Sequence, residues 1–173
     1  GAIFDITKLD YLNAQHMSNL HLNDFIGHLK PFLESKGVQV ENHPKAELLI
    51  ESMRSSANTL EGVASNLMCY YQNIPAYNQK AIEKFVSNSV EILDDLKDRL
   101  ANLETWTESS LDAVLLEYRS EKDLAVPKVN QPIRIALTGS TNSPSLGMTL
   151  FLFEKDEVIK RINDLIDFVH LNS

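Results

Sequence analysis

A single cysteine, Cys69, serves all 173 residues. That excludes an intramolecular disulfide and suits a reducing cytoplasm. Standing alone, the residue reads as a small buried side chain, not as a nucleophile. Long apolar runs are missing too. None approaches the roughly 18 residues of a spanning helix, and mean hydropathy is slightly negative at -0.18, so no membrane span is expected. The amino terminus, GAIFDITKLDYLN, has no basic region followed by an apolar stretch and reads as no secretory leader. An initial Gly in place of Met fits a piece taken from something longer. The phosphate-cradling, dinucleotide, hydrolase-elbow, zinc-protease and CxxC motifs are all absent, so neither a catalytic residue nor a bound metal or cofactor is expected in this chain.

Carboxylates, by contrast, are plentiful, and the formal net charge is -8. This argues against nonspecific nucleic-acid binding, which depends on Lys and Arg at phosphates. The distribution says more than the sum. Residues 78–121 carry ten acidic and five basic side chains, whereas 122–173 hold six of each. Within that neutral third, no carboxylate occurs between Asp123 and Glu154. An acidic protein omits carboxylates over such a length either to bury the segment or to admit something negatively charged.

At 43% hydrophobic the chain can bury a real core, and its apolar residues recur almost throughout at helical spacing. Phe4, Lys8, Leu9, Leu12 and Gln15 share one side of a first short helix, with Asp5 or Thr7 as caps. Leu22, Phe25, Ile26 and Leu29 form a second stripe, which Pro31 is expected to end. Pro31 would open another short helix to Lys36, closed by Gly37 as a left-handed cap. Pro44 to about Arg54 is amphipathic through Leu48, Leu49 and Met53, and Leu60, Val63, Leu67 and Met68 carry the period on to Tyr71. Pro75 marks a boundary. Beyond it, Ala81 through Leu103 predicts one helix of roughly 25 residues, long against the usual mean. Thr105 with Glu108 resembles a capping box, starting a helix that buries Leu111, Val114, Leu115 and Tyr118. The closing helix buries Val158, Ile159, Ile162, Leu165, Ile166 and Val169, with Glu154, Asp156 and Glu157 at the positive end of its dipole. Strand signals are nearly missing; PIRIAL at 132–137 is short enough for a strand or a buried helical turn. The expected fold is all-α: a bundle or cage of about eight or more helices. It divides into a first helical subdomain, 1–74, and a second, 75–173.

His21, Asp24 and His28 could share a helix face and hold a metal, but read better as the polar side of an amphipathic helix. The carboxylate-free tract QPIRIALTGSTNSPSLGM is the remaining feature with chemistry. Unstacked RNA bases are read by backbone groups, hydroxyls and amides. Thr138, Ser140, Thr141, Asn142 and Ser143 supply such groups, Pro144 and Leu146 offer apolar surface, and Arg134 can meet a phosphate or fork onto a base edge. A plain connector between two helices is the competing reading of the same residues.

The run QPIRIALTGSTNSPSL, followed by an apolar stretch and EKDEVIKRI, resembles the carboxyl-terminal end of bacterial-type glutamyl-tRNA synthetases. That class I aminoacyl-tRNA synthetase family shows QPLRxALTG, then SPxL or TPxL, then an apolar segment and an LGKE-like turn. AIFDITKLDYLNAQHM is similar to the FDxxKLxWxN element opening the family's anticodon-binding half, and WTESSLDAVL to its WT element. The motifs run in order along essentially the whole chain, while the HIGH and KMSKS signatures of the catalytic half are absent. LFEK at 152–155 departs from the family's turn.

The resemblance implies a helical cage that binds the tRNA anticodon, with tRNA-Glu as partner. The contacts fall on Arg134, Ser143, Pro144 and Leu146, and Arg54, Ser56, Lys128, Thr138 and Asn142 are candidate additional contacts. It also implies a monomeric, cytoplasmic fragment whose ATP and magnesium belong to the catalytic domain of a parent enzyme. The family's reader of the first anticodon base, an arginine or in some members a glutamine, falls nearest Ser56, with Arg54 two places earlier. This leaves open strict glutamate specificity or a relaxed or glutamine-directed paralogue. A class I lysyl-tRNA synthetase, whose cage is similar, and a helical protein-interaction module without RNA binding are the other readings.

Overall fold

The computed structural model describes the backbone from Ala14 and side chains from Met17 to Ser173. The expected stripe from Phe4 to Leu12, with its caps, lies outside the described residues. Every regular element among the described residues is helical, as the spacing predicts. The chain divides into two compact units, one ending at Asn73 and one spanning Ile74–Ser173.

In the first unit α1 (Ala14–Asn19) and α2 (Leu22–Ser35) precede a single 3-10 turn at Val40–Asn42, then α3 (Ala46–Met53) and α4 (Leu60–Tyr71). Helix α2 packs on α4 and α3, enclosing Phe25, Leu29, Leu33, Leu49, Ile50 and Leu67. Pro31 does not end α2 but lies inside it. Its missing N–H faces Gly27, and both residues are exposed, so water can satisfy the freed carbonyl. Meanwhile the stripe Phe25–Leu29–Leu33 continues without a break and carries the helix past the proline. Gly37 closes α2 as expected, at φ 81°, with its N–H on the Glu34 carbonyl and that of Val38 on Leu33. Thr59 caps α4 by accepting the Gly62 N–H at 3.0 Å.

The second unit opens with α5 (Gln79–Ala81), which runs into a π turn at Ile82–Val86. Helices α6 (Val90–Ala101), α7 (Glu108–Lys122), α8 (Val126–Thr138), α9 (Leu146–Phe151) and α10 (Lys155–Leu171) follow. The single long helix expected from Ala81 to Leu103 is therefore two pieces. Ser87, Asn88 and Ser89 divide them, because short polar side chains bond the backbone locally and compete with the helical ladder. Both the amide and the hydroxyl of Ser87 turn back to the Ile82 carbonyl, at 3.0 and 3.2 Å. The capping box sits two residues later than the sequence suggested. Thr107, not Thr105, is the cap: it is extended and exchanges side-chain and backbone bonds with Ser110. PIRIAL is helical, within α8. Helix α8 is the centre of this unit, packed by the π turn and by α6, α7, α9 and α10, and it buries Val129, Pro132, Ile133, Ile135, Ala136 and Leu137.

Candidate nucleic-acid interface

With one side buried by five neighbours, α8 leaves only a narrow polar strip. Lys128, Gln131, Arg134 and Thr138 follow one another at intervals of three or four residues and so line it. Lys128 is exposed in the first turn; the other three are half-buried. Helix α8 ends at Gly139, at φ 80°. A Cβ there would stand 2.9 Å from Ile74 Cγ2 and 3.2 Å from the Ala76 carbonyl, while the glycine's own carbonyl accepts the Asn78 N–H at 3.1 Å. Only glycine combines that conformation with that proximity.

Beyond Gly139 the chain turns through residues 140–145, and Arg134 reaches across to it. Its Nε donates to Ser143 Oγ at 2.6 Å and its Nη1 to Gln131 Oε1 at 3.0 Å. The guanidinium plane is thus fixed from two sides. Thr138 donates to the Arg134 carbonyl at 2.8 Å and accepts the Ser140 N–H at 3.3 Å, turning inward to shape the turn. Asn142 is exposed, its N–H at 3.4 Å from Ser140 Oγ. Pro144 is half-buried beside Ser143. Leu146 differs from the others: at 3% exposure in the first turn of α9 it is a core residue, with little side chain to offer a ligand.

Three features of the site escape a reading by residue type. Thr149 is completely buried, and its hydroxyl lies 3.0 Å from Ser143 Oγ and 3.1 Å from the Pro144 carbonyl. Arg161, on α10, is buried among that helix's apolar residues. It donates Nη1 to the Leu137 carbonyl at 2.7 Å and Nε to Glu157 at 2.8 Å, with its guanidinium 4.6 Å from the Phe153 ring centre. It thereby holds the last turn of α8 just ahead of the 140–145 turn. Finally, the tract without carboxylates is approached by one from outside: Asp112 of α7 lies against Gly147, where a Cβ would stand 2.0 Å from its Oδ1. None of these three carries a local signal in the sequence.

Arg54 and Ser56 belong to the first unit. Arg54 donates Nη2 to the carbonyls of Met17 and Leu20, at 2.6 and 2.7 Å, and Nη1 to Glu51 at 3.0 Å. Ser56 is exposed, and Asn66 Nδ2 lies 3.1 Å from its hydroxyl. His21, Asp24 and His28 form no metal-holding group, and among the described residues no three His, Cys, Asp or Glu side chains do. No helix there is long and apolar enough to cross a membrane.

Among solved structures the chain resembles a glutamate tRNA ligase from Elizabethkingia meningosepticum, with a TM-score of 0.82 at 21% identity, over 94% of this chain and 32% of that one. Among curated proteins it is 36% identical over 165 residues to the glutamate–tRNA ligase of Myxococcus xanthus, covering 94% of this chain and 34% of the relative. It is 32% identical over 173 residues to glutamate–tRNA ligase 2 of Halorhodospira halophila, covering 99% and 37%. The chain therefore spans about a third of the length of these relatives. The model of the anticodon binding domain matches residues 24–166, a span that holds α3 to α9 whole and the Arg134–Ser143 turn, and the chain belongs to that family.

Proposed function

We propose that this chain is the anticodon-binding part of a glutamate–tRNA ligase, that its partner is tRNA, and that tRNA-Glu is the form it prefers. Its work is positioning. By gripping the anticodon loop it would set the acceptor end against a catalytic part outside these residues, where glutamate activation with ATP and magnesium would take place in the cytoplasm. The observation that carries the reading is the anchored Arg134. Its guanidinium is held on a polar strip beside a hydroxyl-rich turn, in a tract that contributes no carboxylate of its own. A fixed guanidinium meets a phosphate or base edge with little loss of rotamer freedom. Lys128 one end of the strip away, and Ser143, Pro144, Thr138 and Asn142 at the other, supply charge, backbone and a flat surface. Leu146 supports the turn from beneath.

Titration of the chain with an anticodon stem-loop RNA bearing UUC, against one with an altered middle base and an unrelated hairpin, tests this at two salt concentrations. The UUC hairpin should bind best, and its affinity should fall as salt rises. Arg134→Ala should weaken that binding by about ten- to a hundredfold with unchanged helicity by circular dichroism. Absence of binding, or equal binding to all three RNAs, would sink the proposal.

One further observation supports a relaxed anticodon preference. Arg54 is committed to the Met17 and Leu20 carbonyls, and the position nearest the family's arginine or glutamine base reader is Ser56. A serine cannot form the two-pronged contact by which arginine or glutamine separates bases. A hairpin bearing the glutamine anticodon UUG should then bind as well as one bearing UUC; a clear preference for UUC argues for strict reading.

A further inference from the structure

Thr149 sits among apolar neighbours, in GMTLFLF, and is fully buried in α9. A valine would fill the same space without a hydroxyl to satisfy, and burying a hydroxyl is costly unless it is bonded. The usual partner of a helical threonine is the carbonyl four residues back, here Ser145 at 3.0 Å. That bond alone would satisfy it. Yet the same oxygen also lies 3.0 Å from Ser143 Oγ and 3.1 Å from the Pro144 carbonyl, so it meets three successive residues of the functional turn.

Ser143 gives this contact its consequence. A serine hydroxyl has one proton and two acceptor sites. Its proton points to the Pro144 carbonyl at 2.8 Å, and Arg134 Nε–H occupies one acceptor site at 2.6 Å. Thr149 is placed to occupy the other, by turning its one proton from the Ser145 carbonyl to Ser143 Oγ. The hydroxyl is then saturated, with one orientation, and passes that orientation to the Arg134 guanidinium. We propose that Thr149 is a positioning residue of the anticodon site, setting the Arg134 side chain through Ser143 without touching RNA. The inference rests on the tRNA-binding reading above.

The test compares Thr149→Val, which deletes the hydroxyl at nearly constant volume, with Thr149→Ser, which keeps it. Stem-loop affinities for the UUC hairpin and the altered-middle-base hairpin are measured alongside the NMR signal of the Arg134 side-chain Nε–H. The valine variant should lose about tenfold in affinity for the UUC hairpin, narrow the gap between the two RNAs, and let the Nε–H exchange faster with water. The serine variant should restore all three. Should Thr149→Val fail to fold, Thr149→Ala makes the same comparison. If both fail while Thr149→Ser behaves as the unaltered chain, the hydroxyl serves the fold and the proposal is overturned. It is likewise overturned if Thr149→Val folds, keeps a protected Nε–H and discriminates as before. Failure of the unaltered chain to bind any stem-loop would instead remove the functional reading beneath it.

Discussion

Arg54 and Arg134 spend the same guanidinium on different tasks. Around Arg54 the acceptors are main-chain carbonyls at the end of α1 together with the Glu51 carboxylate, and the plane lies 4.8 Å over the Phe25 ring, with only 9% of the side chain exposed. Removing it would leave those carbonyls without their donor in a half-buried setting. Arg54→Met, which keeps the apolar stem, should therefore lower stability by about 2–4 kcal/mol, read from the denaturant midpoint. Stem-loop affinity below the transition should not change. Loss of affinity at full stability would move Arg54 from the fold to the RNA surface. Around Arg134 the partners are side chains, Ser143 and Gln131, on a half-buried strip. The different partners, not the residue type, separate an arginine that holds a helix in place from the one proposed to meet RNA.

At the scale of the element, glycine makes a similar distinction. Gly139 needs a left-handed backbone and has Ile74 and Ala76 against it, whereas Gly27 lies mid-helix with no atom within 4 Å of where a Cβ would be. Gly139→Ala should cost about 1–3 kcal/mol, and Gly27→Ala should gain up to about 1 kcal/mol, by relieving backbone entropy in α2. Thermal midpoints moving in opposite directions would bear this out; two shifts of one sign would not. The same contrast explains how far the elements were legible. Apolar spacing located α10 and the stripes of α2, α4 and α7, and Gly37 marked its own cap, because those signals are local. The run through Pro31, the division at Ser87–Ser89 and the displaced cap at Thr107 depend on competing bonds whose winner is decided by packing. In the site, QPIR and SPSL could be read in the chain, whereas Thr149, Arg161 and Asp112 reach it only through tertiary contact. Leu146, one of the motif residues, proved to be core.

Across the whole molecule the two units share a response to alkali, because each sets a tyrosine, half-buried in the first and buried in the second, beside carboxylates. In the first, Tyr71 donates to the Val40 carbonyl at 2.9 Å, and burial, reinforced by Glu41, pushes its pKa from 10.0 up to about 12. In the second, Tyr118 donates to Asp95 at 2.8 Å, and burial, then that bond and the nearby Asp95 and Glu91 charges, raise it as well. A phenol whose folded pKa exceeds its unfolded value holds its proton more tightly when folded. Its contribution is complete below the unfolded pKa and disappears as pH rises through the folded one. Urea midpoints should hence be steady up to about pH 10 and fall between about 10 and 12, as a chain already at -8 gains further negative charge. Tyr71→Phe removes the titrating group while leaving most of the ring's packing. It should flatten the decline of the first unit and leave that of the second, where Tyr118 remains. An equally steep alkaline decline of the first unit in Tyr71→Phe would assign the effect to lysine deprotonation and general repulsion instead of to the half-buried phenol.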